Sequence, residues 1–287
     1  MIISLSGKKR SGKDLVGKII QYLTTDFNKL QKDYKDLNKE SFEEYLEHAW
    51  NYEQISGWQI VKFADKLKDM VCLLIGCTRE QLEDETFKNT ELGEEWKLYY
   101  VKLERAKHAI DKTTQRISNF YINKKEVENS WFNGNINNDK FGAEIISFIP
   151  TPRWLLQYIG TDLFRDLLHN NIWVNATMAD YVDKTINIVK SYEEEPDSSK
   201  AYLIKKAKPN WIITGTRFEN EVQAVKDRDG INIRINRSSL ESTDTHESEI
   251  ALDNYTEFDY IIENNGTIEE LIEKVREILI KEKIING

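Results

Sequence analysis

Short apolar runs followed by helical patterns recur along this 287-residue chain. The first apolar run, residues 1–5, predicts a short buried strand, and apolar positions over 15–23 recur at helical spacing. The same pairing of strand and helix returns at 58–63 and at 211–214. This alternation predicts an α/β fold with a parallel sheet covered on both faces, and ligands at the carboxyl ends of the strands.

The C-terminal part continues this pattern. Further strands are predicted at 231–235 and 260–262, separated by a polar loop. The turn Asn264-Asn265-Gly266 leads into a final amphipathic helix, for which Thr267 is the predicted cap.

The middle of the chain is less regular. Residues 78–149 are rich in charge and aromatics without a strong period, and we expect inserted helices and loops there. Thr151 followed by Pro152 predicts the start of a helix, which Gly160-Thr161 should interrupt. Residues 172–189 predict a further helix, and 191–208 a charged linker.

Composition narrows the classes of partner. No apolar run is long enough to span a membrane, so we expect a cytoplasmic protein without a membrane partner. The net charge of −9 argues against a surface for polymeric nucleic acid, because such surfaces carry a basic excess. Cys72 and Cys77 are too few for a zinc site and are expected to be free, buried thiols.

A Gly-x-x-x-x-Gly-Lys pattern lies between the first strand and the first helix. Glycines let the backbone approach a ligand closely, and the start of a helix holds anions. Lys13 can reach a β- or γ-phosphate, and three more cations in the loop argue against a simple glycine turn. The predicted ATP-binding residues are Gly7, Lys8, Lys9, Arg10, Ser11, Gly12, Lys13, Asp14 and Leu15.

Asp14 replaces the Ser or Thr that usually follows the lysine of this pattern. That hydroxyl normally binds Mg²⁺, so Asp14 becomes the candidate metal ligand. Its carboxylate can bind directly or through water, because Mg²⁺ keeps several of its waters.

Five motifs occur along the chain in order. They are Ser-Gly-Lys-Lys-Arg-Ser-Gly-Lys-Asp at 6–14, Phe-Ala-Asp-Lys-Leu-Lys at 63–68, Thr-Pro-Arg-Trp-Leu-Leu-Gln-Tyr-Ile-Gly-Thr-Asp at 151–162, Arg-Phe-Glu-Asn-Glu at 217–221 and Glu-Ser-Thr-Asp-Thr-His-Glu-Ser-Glu at 241–249. In this order they resemble bacteriophage deoxynucleoside monophosphate kinases, in which Asp is also usual after the loop lysine. The resemblance implies a single domain over 1–287 with a three-layer P-loop NTPase fold. A mainly helical substrate-binding and lid insertion is expected at about 78–190.

The resemblance also implies transfer of the γ-phosphoryl of ATP to a deoxynucleoside monophosphate, with Mg²⁺ as cofactor. Phosphoryl transfer needs mainly positioning and charge stabilisation. The implied catalytic residues are Lys13, Arg10 and Arg217. The implied substrate-binding residues are Lys68, Arg153, Gly160, Thr161, Arg165 and Trp173. Arg217, just past a buried strand, is placed to reach a phosphate, and Glu219 or Glu221 either fixes Arg217 or touches a sugar or base of the substrate. Arg234 and Arg237 are alternative lid arginines, and enzymes of this class often form homodimers.

Simpler interpretations stay open for several of these residues. Arg153 and Arg165 are alternatively surface cations paired with Asp162 or Asp166, and Trp173 is alternatively a core residue. Gly215-Thr216 stands where many members of the family carry an Asp, which weakens the case for a metal carboxylate there.

Two other functions fit the phosphate loop. One is a P-loop kinase acting on another small phosphorylated acceptor, similar to phosphomevalonate or dephospho-coenzyme A kinases. The other is a nucleotide-binding switch or assembly ATPase, which needs no acceptor site.

Overall fold

The computed structural model describes residues 1–27, 41–47, 55–103, 120–122, 143–190, 201–238 and 250–287. The chain divides into two compact units. The first unit comprises Met1–Lys66 with His169–Gly287, and the second comprises Leu67–Leu168.

The secondary structure follows in chain order. The strands are β1 (Ile2–Ser6), β2 (Trp58–Val61), β3 (Leu98–Leu103), β4 (Phe120–Ile122), β5 (Ala143–Phe148), β6 (Lys184–Lys190), β7 (Ala201–Ala207), β8 (Asn210–Thr216), β9 (Ile231–Asn236) and β10 (Tyr260–Glu263). The helices are α1 (Lys13–Thr24), α2 (Phe42–Glu47), α3 (Asp65–Ile75), α4 (Arg79–Glu83), α5 (Glu85–Asn89), α6 (Pro152–Gln157), α7 (Ile172–Met178), α8 (Glu219–Lys226) and α9 (Ile268–Lys281). A 3₁₀ turn lies at Glu94–Trp96 and a π-helical segment at Tyr158–Leu168.

The first unit is built on a five-stranded parallel sheet with the order β10-β9-β1-β8-β2. The strand that precedes the phosphate loop is therefore central. This sheet confirms the predicted α/β class and the strands predicted at 1–5, 58–63, 211–214, 231–235 and 260–262.

Alternation along β1 divides the core between the two faces of the sheet. Successive side chains of a strand point to opposite faces. Ile3 and Leu5 pack in one apolar cluster with α1 and α9, whereas Ile2 packs in the other with α7 and α8. Helices therefore cover both faces of the sheet.

A β-bulge lies where β8 reaches the carboxyl edge of the sheet. Leu5 of β1 pairs with Thr214 but Ser6 pairs with Thr216, so the register skips Gly215. Gly215 has a φ of 101°, a conformation that disfavours any side chain. The bulge brings Thr216 against Ser4, and their hydroxyl oxygens lie 2.7 Å apart.

The second unit contains a three-stranded antiparallel sheet with the order β4-β3-β5. The expectation of helices and loops over 78–149 is therefore wrong at these three strands. β3 reads Leu-Tyr-Tyr-Val-Lys-Leu, and aromatic and β-branched residues favour strands, but so short a run does not show its pairing partner. The inserted region as a substrate-binding element stays a prediction.

Two further boundaries differ from expectation. The helix does not break at Gly160-Thr161 but widens into π-helical turns, and Gly160 packs against Leu67 of α3 where a side chain would overlap. The helix expected over 172–189 ends at Met178, and the strand β6 occupies the last part of that range. Its partner strand β7 lies inside the linker expected over 191–208. Residues 191–200 of that linker lie outside the described residues.

Gly215→Ala should destabilise the first unit by about 1–3 kcal/mol, the cost of holding an L-residue in a disfavoured backbone conformation. No described atom lies within 4 Å of the position that the Cβ would take, so the loss of stability would come from the backbone conformation and not from a steric clash. Denaturant unfolding, which gives the free energy of unfolding, checks this prediction, and the m-value should stay unchanged. Thr216→Ala is the control, because it removes a hydroxyl contact and leaves the bulge. A free energy of unfolding for Gly215→Ala that equals or exceeds that of the wild type would contradict the prediction.

Candidate active site

The phosphate loop joins β1 to α1 and is shaped by two glycines. A Cβ on Gly7 would lie 2.6 Å from the carbonyl oxygen of Ile235 and would overlap Ser11. Gly12 is the N-cap of α1 with a φ of 99°, and no side chain caps the helix. The uncapped N–H groups of the first turn and the helix dipole together favour an anion at this position.

Ser11 supplies a test of whether the loop fits a phosphate. Its side chain is 1% exposed, and its hydroxyl has no hydrogen-bond partner among the described residues. A buried hydroxyl left in this state costs about 1–3 kcal/mol, which a phosphate oxygen would recover. The glycine cradle and this hydroxyl fit a bound phosphate group.

The loop and the start of α1 also carry cationic side chains. Lys13 begins α1, and its ammonium group donates to the carbonyl of Lys8 at 3.4 Å. Arg10 is exposed and has a φ of 66°, which is uncommon for a residue with a side chain. The predicted ATP-binding residues 7–15 thus run from the end of β1 through the loop into the first turn of α1.

The loop after β10 holds the phosphate loop in place. The side-chain amide of Asn264 donates to the carbonyl oxygen of Ser11 at 2.8 Å. A Cβ on Gly12 would overlap the same amide nitrogen. Asn264 is a site residue whose role sequence reasoning missed, although the Asn264-Asn265-Gly266 string was visible.

A second missed residue, Asp253, binds two cations. One carboxylate oxygen lies 3.0 Å from the ammonium of Lys8, and the other lies 3.2 Å from the guanidinium of Arg234. Arg234 also donates to Ser6 at 3.0 Å and lies over the ring of Phe258. The Arg234 side chain is only 13% exposed, so its contacts are mainly within the protein.

Asp14, the candidate metal ligand, lies 3.1 Å from the ammonium of Lys62. Burial raises the pKa of Asp14, but the charge of Lys62, the hydroxyl of Thr214 and the charge of Lys13 together lower it by more. The pKa of Asp14 is therefore below its ordinary value, and the group is a carboxylate at neutral pH. Its donor type fits Mg²⁺, which needs few protein ligands.

No cluster of three or more metal-ligating side chains occurs among the described residues. The carboxyl edge of β8 offers the hydroxyls of Thr214 and Thr216 and no carboxylate. Among the described residues, Asp14 is therefore the candidate carboxylate ligand of a metal at this site.

Arg217 follows β8, and Glu219 and Glu221 lie in the first turn of α8, where the three side chains have different surroundings. Arg217 and Glu219 are exposed, and Glu219 lines a polar surface cavity of about 460 Å³. Glu221 is buried, and its carboxylate accepts hydrogen bonds from the backbone N–H groups of Arg217 at 2.7 Å and Phe218 at 3.3 Å. This carboxylate thus fixes the start of α8 and the backbone of Arg217.

The second unit holds five of the predicted substrate-binding residues. Lys68 pairs with Glu83, and Arg153 binds Glu85 at 2.6 Å and Asn89 at 2.8 Å. The alternative pairing of Arg153 with Asp162 or Asp166 is not observed. Gly160 and Thr161 are buried in the π-helical segment, and Arg165 is half-buried.

The pKa of Glu83 reflects the cations around it. Burial raises the pKa, but the hydrogen bond and charge of Lys68 and the charge of Lys88 lower it by more. Glu83 is thus a carboxylate that neutralises two lysines.

Trp173, at the start of α7 in the first unit, is half-buried rather than a core residue. Residues 241–249, the last of the five motifs, lie outside the described residues. The roles of all the predicted site residues stay predictions.

The central strand, the glycine loop and the uncapped helix define a P-loop nucleotide-binding α/β protein. A family model for deoxynucleotide monophosphate kinases matches residues 1–275, and the chain belongs to that family. This confirms the family resemblance of its motifs.

Three viral relatives agree with this assignment. A deoxynucleotide monophosphate kinase of Enterobacteria phage T4 is 26% identical over 97% of this chain and 98% of its own length. The one of Escherichia phage RB69 is 29% identical over 44% of each chain. A protein of Acanthamoeba polyphaga mimivirus, provisionally given the same name, is 33% identical over 44% of this chain and 59% of its own. The chain thus spans about half the length of the latter two relatives.

The described helices include none that is both long and apolar enough to cross a membrane. Cys72 and Cys77 are free thiols, as expected, but only Cys72 is buried, and Cys77 is partly exposed. Burial and a hydrogen bond with Cys77 raise the pKa of Cys72 to about 11.

Lys62→Met should raise the pKa of Asp14, because it removes the cation that lowers this pKa most. In the wild type the pair stabilises the fold above the ordinary Asp pKa, and the effect is lost as the pH falls through the lower folded pKa. Carboxyl ¹³C NMR titration of Asp14 checks this. Lys226→Met, a change elsewhere in the unit, should leave the titration unchanged. A titration of Asp14 unaffected by Lys62→Met would contradict the prediction.

Proposed function

We propose that this protein transfers the γ-phosphoryl group of ATP to a deoxynucleoside monophosphate and forms the diphosphate. The observation that carries the proposal is the glycine cradle with the buried Ser11 hydroxyl, in a chain that belongs to this kinase family. The names of its relatives support the choice of acceptor.

The donor half of the proposal rests on the phosphate loop. Backbone N–H groups at the start of α1 bind phosphate oxygens, and Lys13 holds the group that is transferred. Arg10 lies exposed on the loop and offsets the charge that develops during transfer. Asp14 would hold Mg²⁺ directly or through water, and the metal when bound neutralises phosphate charge.

The acceptor half rests on residues carried over from the family pattern. Arg153 and Arg165 suit a monophosphate, because a guanidinium can bind two of its oxygens. The remaining proposed acceptor contacts are Lys68, Gly160, Thr161, Trp173, Arg217 and Glu219. We assign Glu221 to fixing the backbone of Arg217, because its carboxylate already accepts two N–H groups.

Arg237 is the better candidate for the lid arginine. Arg234 is bound by Ser6 and Asp253 and is largely buried, whereas Arg237 is exposed just beyond the end of β9. An exposed side chain can turn toward a bound phosphate without breaking internal contacts.

Lys13→Ala should lower the turnover number by at least about 100-fold, because it removes a charge-assisted contact to the transferred group. ADP release is measured with ATP, Mg²⁺ and a panel of deoxy- and ribonucleoside monophosphates. Lys18→Ala, on the same helix, is the control and should keep wild-type turnover. If the wild type hydrolyses ATP without an acceptor and transfers no phosphoryl group, the switch or assembly ATPase is favoured. Unchanged turnover in Lys13→Ala would contradict the role assigned to Lys13.

Arg153→Ala should raise the KM for the deoxynucleotide by about 10- to 100-fold, since hydrogen bonds to charged groups contribute about 1.5–3 kcal/mol. The KM for ATP should change little. Steady-state kinetics with each substrate varied separately check the difference. Lys97→Ala is the control, since Lys97 is a cation of the same unit that is paired with Glu94. Equal losses for both substrates would indicate a structural role for Arg153.

A further inference from the structure

The turn Asn264-Asn265-Gly266 contacts two other loops at the carboxyl edge of the sheet. The side chain of Asn264 donates to Ser11 O in the phosphate loop at 2.8 Å. The side-chain oxygen of Asn265 accepts both the backbone N–H and the hydroxyl of Ser238, each at 2.9 Å. Neighbouring residues of one turn therefore bind the loops that follow β1 and β9.

We propose that Asn264 and Asn265 are positioning residues of the ATP site. Asn264 fixes the phosphate loop through Ser11, and Asn265 fixes the segment after β9 through Ser238. The inference rests on the proposed binding of ATP by the phosphate loop. It goes beyond that function by naming what holds the loop in shape.

Steric contacts show how closely this turn defines the loop. Gly12 has no room for a Cβ beside the amide of Asn264, and Gly7 has none beside the carbonyl of Ile235. The loop is thus enclosed by β9 on one side and by the turn after β10 on the other. A loop held in its binding conformation loses less entropy when a ligand binds, and this strengthens binding.

Asn265 has a similar effect on the segment that carries Arg237. The backbone N–H of Asn264 donates to the carbonyl of Asn236 at 2.8 Å, and Asn265 accepts from Ser238. Arg237 lies between these two attached residues. The turn therefore fixes the backbone on both sides of the proposed lid arginine.

The two amides act through opposite atoms, and this difference makes the proposal testable. Asn264 uses its nitrogen as a donor, which an aspartate cannot replace. Asn265 uses its oxygen as an acceptor, which an aspartate retains. If the two asparagines contributed only side-chain volume or general stability, aspartate would have the same effect at both positions.

The experiment measures binding of a non-hydrolysable ATP analogue by calorimetry for Asn264→Ala, Asn264→Asp, Asn265→Ala and Asn265→Asp. Asn264→Ala should weaken binding by about 3- to 10-fold, the loss expected for one hydrogen bond. Asn264→Asp should weaken it further, because its carboxylate faces the Ser11 carbonyl. Asn265→Ala should weaken binding by about 2- to 5-fold, and Asn265→Asp should restore it to near the wild-type value.

Asn175→Asp is the control for an added charge, because Asn175 is exposed on α7 in the same unit. Thermal unfolding of each variant verifies that it is folded. Equal effects of Ala and Asp at position 264 and at position 265, or wild-type binding by Asn264→Ala, would overturn the proposal.

Kinetics separate this proposal from the function on which it rests. The KM for the deoxynucleotide should stay unchanged in Asn264→Ala while the KM for ATP rises, and a parallel rise in both would overturn the positioning role. If the wild type binds the analogue but phosphorylates no nucleotide, the proposed function fails. The binding comparison still decides the roles of the asparagines in that case.

Discussion

The phosphate loop has no space for side chains at either end, and the rest of the first unit depends on this constraint. Gly7 lies against the backbone of β9, and Gly12 lies against Asn264 after β10. Such contacts require the carboxyl ends of β1, β9 and β10 to lie side by side. A parallel sheet with β1 in the middle meets this requirement, because parallel strands end at the same edge.

Close approach of these loops also creates a need for polar partners. Backbone groups that turn away from the sheet lose their ladder hydrogen bonds and require other donors or acceptors. Asn264 supplies a donor for Ser11, and Glu221 supplies an acceptor for Arg217 and Phe218. The side chains that surround the site therefore shape its backbone as well as its charge.

The sequence pattern predicts those strands and helix ends that depend only on residues close together in the chain. The strands of the main sheet are short apolar runs next to helices, and Thr151 caps α6 as its Thr-Pro pair indicates. The strands β3–β7 were missed, since their pairing depends on partners that no local pattern identifies. In the widened helix, Gly160 packs against Leu67, which is 93 residues away in sequence, and no local pattern shows that contact.

In the candidate site, too, the sequence predicts the backbone elements but not the partners of the charged side chains. The Gly-x-x-x-x-Gly-Lys string and its flanking elements predict the phosphate loop because backbone conformation alone determines them. Asp253 and Lys62 were not predicted, because a carboxylate or ammonium in a polar stretch gives no sign of its partner. Glu221 was predicted either to fix Arg217 or to touch a sugar or base, and its carboxylate accepts the backbone N–H groups of Arg217 and Phe218. A motif identifies a residue, whereas its role depends on what it contacts.

Two ion pairs bear on how a protein with a net charge of −9 would accept phosphate at the proposed sites. Lys8 pairs with Asp253, and Arg153 pairs with Glu85. Partly exposed pairs of this kind contribute at most about 1 kcal/mol, so exchanging the carboxylate for a phosphate costs little. A phosphate oxygen offers the cation a stronger partner, because it carries more charge and more acceptors. In the proposed function, these carboxylates would therefore partner the cations when no substrate is bound and would limit nonspecific attraction to polyanions without preventing phosphate from binding.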